Sequence, residues 1–174
     1  MYLNTIAETY SYLGDYNKAV EMGLECLELR EKIFGKEHSL SASSYMNIAL
    51  YFHNLADYDK ALEMSLESLA LFEKILSKNH PYYALSLGNL AITYSDLGDY
   101  DKALDMQLEC LDLYENILGK EHPNYAMSLN NLAFSYSNFG DYDKALEMHL
   151  ECLALNEKIL GKEHPNFATS LNNL

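Results

Sequence analysis

The sequence predicts an all-α fold, an α-solenoid of antiparallel helix pairs in about four repeats. A similar block of sequence returns with a period of 42 residues, the spacing between His80 and His122. Apolar residues inside each block recur at helical spacing. Because the 174 residues include only 3 Pro and 8 Gly, few positions interrupt long helices.

The first helix of a repeat, the A helix, is predicted in the fourth copy from Asn124 to Phe139. Most apolar residues there share one face of a helix with about 3.6 residues per turn; they are Tyr125, Met127, Leu129, Leu132, Ala133, Tyr136 and Phe139. Gly140 is expected to end this helix in the left-handed conformation. Asp141 is expected to cap the next helix through its side-chain oxygen.

The second helix, the B helix, is predicted from Tyr142 to Leu160. Its apolar residues again follow helical spacing; they are Ala145, Leu146, Leu150, Leu153, Ile159 and Leu160. Gly161 is expected to end it, and Pro165 to open the next A helix. The short connection between the two helices predicts an antiparallel hairpin.

The whole chain, 1–174, is predicted to form a single solenoid without a linker. The repeats are placed at about 1–38, 39–80, 81–122 and 123–164, with a partial fifth at 165–174. Since the sequence starts and stops inside A helices, Leu171 and Leu174 are expected to be exposed. This favours either a fragment of a longer array or an end that docks onto another copy.

The charge of the chain limits its partners. Asp and Glu number 26 against 12 Lys and Arg, for a net charge of −14, and such a field repels phosphate backbones and anionic lipids. Neither nucleic acid nor a membrane is therefore expected as a partner. No apolar stretch reaches the roughly 20 residues of a transmembrane span, and the start of the sequence lacks a secretory signal. Together with only three Cys, this predicts a cytoplasmic protein.

The residues of each hairpin resemble the tetratricopeptide motif. Leu129-x-x-Leu132-Ala133-x-x-Tyr136 is followed by Gly-Asp-Tyr and by further small and apolar positions, and the ending ILGKEHPN resembles the kinesin-light-chain type of this repeat. The resemblance implies a right-handed superhelix with A helices on the concave surface and B helices on the convex one. It implies a non-catalytic protein-interaction scaffold.

Two positions depart from that motif. Where it has an aromatic four residues after the motif Ala of the B helix, this chain has Gly23, Ser65, Gln107 and His149. Where it has the next small residue, the chain has Cys26, Ser68, Cys110 and Cys152. We interpret both sets as altered packing between helices, which bears on partner specificity.

No residues in the sequence indicate catalysis, a cofactor or a metal. The repeated His-Pro pairs lie in equivalent turns, about 8–10 Å or more apart in stacked helices, too far for shared coordination at about 2 Å. Cys110 and Cys152 also occupy equivalent positions, too distant for a disulfide. No phosphate-binding loop or nucleophile motif occurs. The chain is predicted not to be an enzyme.

All Lys and Arg residues lie in predicted B helices or turns. Because Lys and Arg are the groups that hold carboxylates, we expect a neutral or basic peptide partner rather than an acidic one. Acidic residues follow helical spacing on each B helix, for example Asp101, Asp105, Glu109 and Asp112. Two interpretations of this stripe stay open: a solvated face, or a docking surface for a basic partner.

The predicted function is a scaffold that binds a peptide segment in the concave groove. Asparagine amides would hydrogen-bond the peptide main chain, while apolar side chains add contacts. The predicted peptide-binding residues are Asn47, Leu50, Asn54, Asn89, Ile92, Asp96, Asn130, Asn131, Phe134 and Asn138. Alternatively, Asn47, Asn89 and Asn131 bond neighbouring helices. A second hypothesis is a structural array that self-associates end to end.

Overall fold

A computed structural model describes residues 2–173, which form helices joined by short turns. The helices are α1 (Tyr2–Tyr12), α2 (Tyr16–Phe34), α3 (Ser39–Asn54), α4 (Tyr58–Leu76), α5 (Pro81–Asp96), α6 (Tyr100–Leu118), α7 (Pro123–Phe139), α8 (Tyr142–Leu160) and α9 (Pro165–Asn172). Odd-numbered helices are the A helices and even-numbered ones the B helices. Residues 2–173 contain no strand, and the all-α prediction is confirmed.

The chain divides into two compact units: the first ends at Thr93 and the second begins at Tyr94, inside α5. In the first unit α1 packs on α2, α2 on α3, and α3 on α4. In the second, α6 packs on α7, α7 on α8, and α8 on α9. Helices thus pack against their neighbours in sequence within each unit, as stacked hairpins do. The single solenoid over 1–174 stays a prediction.

The turn inside the hairpin of α7 and α8 follows the prediction. Gly140 adopts φ 95° and ψ 6°, the left-handed conformation, and ends α7. The Asp141 carboxylate accepts a hydrogen bond from the backbone N–H of Lys144 at 3.2 Å. Lys144 Nζ lies 2.8 Å from the same carboxylate and over the Tyr136 ring. The Lys144 hydrogen bond lowers the pKa of Asp141.

The repeated histidines cap the A helices. His122 Nδ1 accepts a hydrogen bond from the backbone N–H of Asn124 at 3.1 Å, and His38, His80 and His164 make the same bond to the residue two positions on. A side-chain acceptor at this place satisfies one of the unpaired N–H groups of a helix start. The histidines that the sequence placed in turns therefore act as N-caps of the A helices.

The turn after α4 holds a strained residue. Ser77 has φ 73° and ψ 167°, a conformation that residues with a Cβ rarely adopt, and the three equivalent turns have Gly35, Gly119 and Gly161. A residue held there stores about 1–3 kcal/mol of strain.

Replacing Ser77 by Gly is therefore expected to stabilise the protein. After subtraction of the larger backbone entropy that Gly loses on folding, we expect the free energy of unfolding to rise by about 1 kcal/mol. Urea denaturation followed by circular dichroism measures it. Ser77→Ala keeps the Cβ and is the control; a gain in that variant equal to the gain in Ser77→Gly would contradict the strain argument.

Candidate functional site

All ten predicted peptide-binding residues lie on A helices and are at least partly exposed. Leu50 on α3 is 52% exposed, Ile92 on α5 36%, and Phe134 on α7 47%. The others are Asn47 and Asn54 on α3, Asn89 and Asp96 on α5, and Asn130, Asn131 and Asn138 on α7. These side chains are thus accessible to a partner.

The A helices carry little charge. Within residues 2–173 none of them contains Lys or Arg, and their carboxylates are those of Glu8 and Asp96. The cations instead serve the B helices and turns, where Lys74 bonds Glu37 and Lys158 bonds Glu121. The acidic stripe of the B helices is largely exposed, although Glu67 pairs with Lys36 at 2.9 Å.

The asparagines differ in their hydrogen bonds. Asn47 Nδ2 donates to Asn4 Oδ1 on α1 at 3.3 Å, and Asn130 Oδ1 accepts from Asn173 Nδ2 at 2.8 Å. Asn47 therefore bonds a neighbouring helix, which is the alternative that the sequence left open. Asn138 Nδ2 donates to Ser95 Oγ at 2.8 Å.

Asn89 and Asn131 keep their amides available. In the part of the chain from 2 to 173, neither side-chain amide has a hydrogen-bond partner. Asn89 is equivalent to Asn47, one repeat later. The residue equivalent to Asn4, the partner of Asn47, is Met46, which has no amide to pair with Asn89. An unpaired, half-buried amide has both its donor and its acceptor capacity left for a ligand.

A recess of about 90 Å³ lies beside Asn89 in the first unit. It is lined by Met46, Ala49, Leu50 and His53 of α3, Ser65 of α4, and Asn89, Ile92 and Thr93 of α5. The recess brings together three predicted site residues, Leu50, Asn89 and Ile92. The predicted set did not include the other lining residues, which are Met46, Ala49, His53, Ser65 and Thr93. For Ser65, its departure from the motif aromatic was the available signal.

In the second unit an aromatic pair joins α7 to α8. The ring of Phe134 meets the ring of His149 edge to face, with centroids 5.3 Å apart. His149 is buried, and its burial lowers the pKa of the imidazole. The neutral ring of His149 therefore packs against the buried side of Phe134, which is a predicted contact residue.

Protonation of His149 is expected to destabilise the fold. Because its pKa is lower in the folded than in the unfolded chain, its stabilising contribution is complete above about pH 6.5 and is lost as the pH falls below that value. We expect His149→Gln, which copies the buried Gln107, to flatten the loss of thermal stability between about pH 7.5 and 5. Melting curves of both proteins across this range test it, and identical pH profiles would refute it.

The cysteines act as packing groups. Cys26, Cys110 and Cys152 are buried and no disulfide joins them. Cys152 Sγ donates to the Ala126 carbonyl at 3.2 Å, and burial raises the pKa of this thiol. Between residues 2 and 173, no group of three His, Cys, Asp or Glu side chains is arranged to hold a metal ion. Nor does any helix in that range have the length and apolarity to cross a membrane.

The sequence profile of the tetratricopeptide repeat family matches four overlapping stretches, residues 1–74, 40–116, 96–158 and 125–174. Together these matches cover the whole chain. The chain belongs to the tetratricopeptide repeat family. No curated protein is similar enough in sequence to match this tetratricopeptide protein.

Several solved structures share the tetratricopeptide fold of this chain. A Podosopora anserina protein, described as having kinesin-light-chain nearly identical TPR-like repeats, is 25% identical, with a TM-score of 0.82 over 99% of this chain and 82% of that one. BtubC (BKLC) from P. vanneervenii is 24% identical, with a TM-score of 0.85 over 99% and 68% of the two chains. Apo RapI is 18% identical, with a TM-score of 0.77 over 98% and 65%.

These likenesses confirm the predicted fold class, an α-solenoid of helix pairs in about four repeats, and the kinesin-light-chain-like type of the repeat. The tetratricopeptide fold is that of protein-interaction scaffolds and is typically non-catalytic. Because the fold alone does not specify a function, the exposed side chains of these helices determine which protein is bound.

Proposed function

We propose that this tetratricopeptide protein is a non-catalytic scaffold that binds a neutral or basic peptide segment along its A helices. The observation that carries the proposal is the pair of unpartnered amides on Asn89 and Asn131, set in helices that lack cations within residues 2–173. Each amide can donate to a peptide carbonyl and accept from a peptide N–H. Such contacts hold an extended main chain without reading its sequence.

The charge preference follows from what the A helices lack. An acidic peptide would bring carboxylates that need Lys or Arg for charge-assisted hydrogen bonds, and the described parts of these helices supply none. The net charge of −14 adds a long-range field that attracts cations and repels anions. A neutral segment, or one with lysines outside its central residues, is the partner that fits.

We assign the acidic stripe of the B helices to solvation. Its side chains, such as Asp105 and Glu109 on α6, are exposed, and exposed carboxylates keep a protein soluble without needing a partner. The charge-neutralising substitution Glu109→Gln therefore serves as a matched control for variants of the A helices.

Loss of the two amides is expected to weaken peptide binding without unfolding the protein. In a synthetic peptide array that ranges from acidic to basic, we expect neutral and basic peptides to be retained. For a retained peptide, Asn89→Ala with Asn131→Ala should raise Kd about tenfold or more, since each lost hydrogen bond contributes about 0.5–1.5 kcal/mol. Fluorescence anisotropy gives Kd, and a melting curve of each variant monitors the fold.

The control variant Glu109→Gln should leave Kd within about twofold, since exposed charges far from a ligand contribute little. Retention of acidic peptides in preference to basic ones would overturn the proposed charge preference. An unchanged Kd accompanied by a large fall in Tm would show that the asparagines serve packing and not binding.

Self-association is a second candidate, favoured by the exposure of Leu171. This residue on α9 is 50% exposed; Leu174 and Met1 lie outside the described residues. Apolar side chains left open on a repeat surface are sites where a second copy can pack. Light scattering against concentration tests it: a mass that rises with concentration in the original protein, and not in Leu171→Glu, would support it.

A further inference from the structure

We propose that the recess between α3 and α5 is a specificity pocket for one leucine or methionine side chain of the bound peptide. This inference rests on the proposed function and names the side chain that the peptide inserts. It concerns the first unit alone, because every lining residue lies between Met46 and Thr93.

The recess exists because two facing positions are both small. In the preceding seam of the same unit, a Cβ added to Gly23 would lie 3.0 Å from Ile48 and 3.2 Å from the ring of Tyr51. Tyr51 thus fills the space over Gly23. The equivalent pair one repeat later is Ser65 and Thr93, whose side chains leave the space open.

In the second unit, the equivalents of Ser65 carry large side chains. Gln107 on α6 is 1% exposed and His149 on α8 is 7% exposed, so each of these long side chains is folded into the interior. Among the four equivalent places in the described residues, the open one is therefore at Ser65. This is the position where the sequence departs from the family aromatic, and the departure has a consequence for binding.

The lining selects an uncharged, apolar occupant. Met46, Ala49, Leu50 and Ile92 supply carbon atoms, and Lys, Arg, Asp and Glu are absent from the lining formed by the described residues. Thr93 Oγ1 donates to the Asn89 carbonyl at 3.3 Å, so that hydroxyl already has an acceptor. A Lys, Arg, Asp or Glu side chain would lose its hydration in the recess, and the described lining offers no Lys, Arg, Asp or Glu to pair with it.

The size fits a side chain of moderate length. A volume of about 90 Å³ is several times the roughly 10–15 Å³ that one water needs, which gives room for the four non-hydrogen atoms of Leu or Met. Met46 has an unbranched, flexible side chain and can adjust to either shape. Asn89 also lines the recess, so its amide lies beside an inserted side chain and within reach of the main chain that carries it.

Methyl NMR of the full chain tests the pocket with defined probes. The probes are the N-acetyl methylamides of leucine, methionine and alanine, followed on the methyl signals of Met46, Leu50 and Ile92. We expect the leucine and methionine probes to shift these signals with Kd values about tenfold or more below that of the alanine probe, since each buried CH₂ contributes about 0.8 kcal/mol.

Two substitutions at Ser65 separate filling of the recess from other effects. Ser65→Gln copies Gln107 and should abolish the shifts, whereas Ser65→Ala keeps the volume and should preserve them. Equal affinity of the leucine and alanine probes for the original protein would overturn the pocket, and this comparison does not depend on the folding of any variant. Shifts that persist in folded Ser65→Gln would overturn it as well.

The peptide array distinguishes failure of the pocket from failure of the proposed function. Retained peptides that show no preference for Leu or Met over Ala would overturn the pocket and leave the scaffold proposal standing. An array in which the original protein retains no peptide of any charge would overturn the scaffold proposal itself. A preference for Leu or Met that is lost in Ser65→Gln, while overall retention persists, is the expected result.

Discussion

Replacing Phe72 by Ala is expected to lower the free energy of unfolding by about 3–5 kcal/mol. Phe72 on α4 is 0% exposed, and its ring stacks on Tyr82 at 5.5 Å. Truncation removes both the buried apolar area and the stacked ring, and it leaves a cavity that rigid helices fill only in part. Urea denaturation followed by circular dichroism measures the change.

Leu66→Ala on the same helix is the matched control for Phe72→Ala. Leu66 is exposed, so its truncation creates no cavity and should cost less than about 1 kcal/mol. A loss in Phe72→Ala no greater than that of the control would show that the seam between α4 and α5 contributes little to stability.

Gly23→Gln is expected to destabilise the protein by about 1–3 kcal/mol through overpacking. In a helix interior, replacement of Gly ordinarily stabilises by about 0.5–1 kcal/mol. Here the new side chain must compete with Tyr51 and Ile48 for the same space. Helix propensity alone would raise the free energy of unfolding of Gly23→Gln, so a fall in that free energy must come from overpacking against Tyr51 and Ile48. Leu24→Gln, on the exposed face of α2, controls for the chemistry of the side chain.

Tyr51→Ser should rescue Gly23→Gln in part, because the double variant recreates the Gln107 and Ser135 residues of the third and fourth repeats. Burial raises the pKa of Tyr51 to about 12, and its hydroxyl has no hydrogen-bond partner among the described residues. The double variant should be about 1–3 kcal/mol more stable than the sum of the single effects predicts. Strict additivity would show that the two residues do not share space.

The helices and their caps could be predicted because their signals are local. Gly140 and Asp141 determine the hairpin turn through their own backbone and side chain, and α8 has the predicted bounds Tyr142–Leu160. Because the sequence repeats every 42 residues, the same helices and turns could be predicted in every repeat. Ser77 shows the limit of that reasoning, since its positive φ is imposed by the repeat geometry and not by the preference of Ser.

The candidate site could be predicted only by its position on the A helices. Whether an amide is available depends on the residue opposite, as Asn4 shows for Asn47. The recess at Ser65 likewise depends on Thr93, which is 28 residues away in the sequence. Such pairs are created when helices dock, and no pattern within one helix contains them.

The close fit of Tyr51 over Gly23 favours docking of these similar repeats in their sequence order. Interchangeable hairpins could dock in the wrong order, with one copy skipped or exchanged between molecules. The Tyr51 ring fits over Gly23. At the equivalent positions it would compete for space with the buried Gln107 or His149 side chain, so docking in the wrong order is destabilised. The buried side chains that differ between successive repeats thus favour assembly of the hairpins in sequence order.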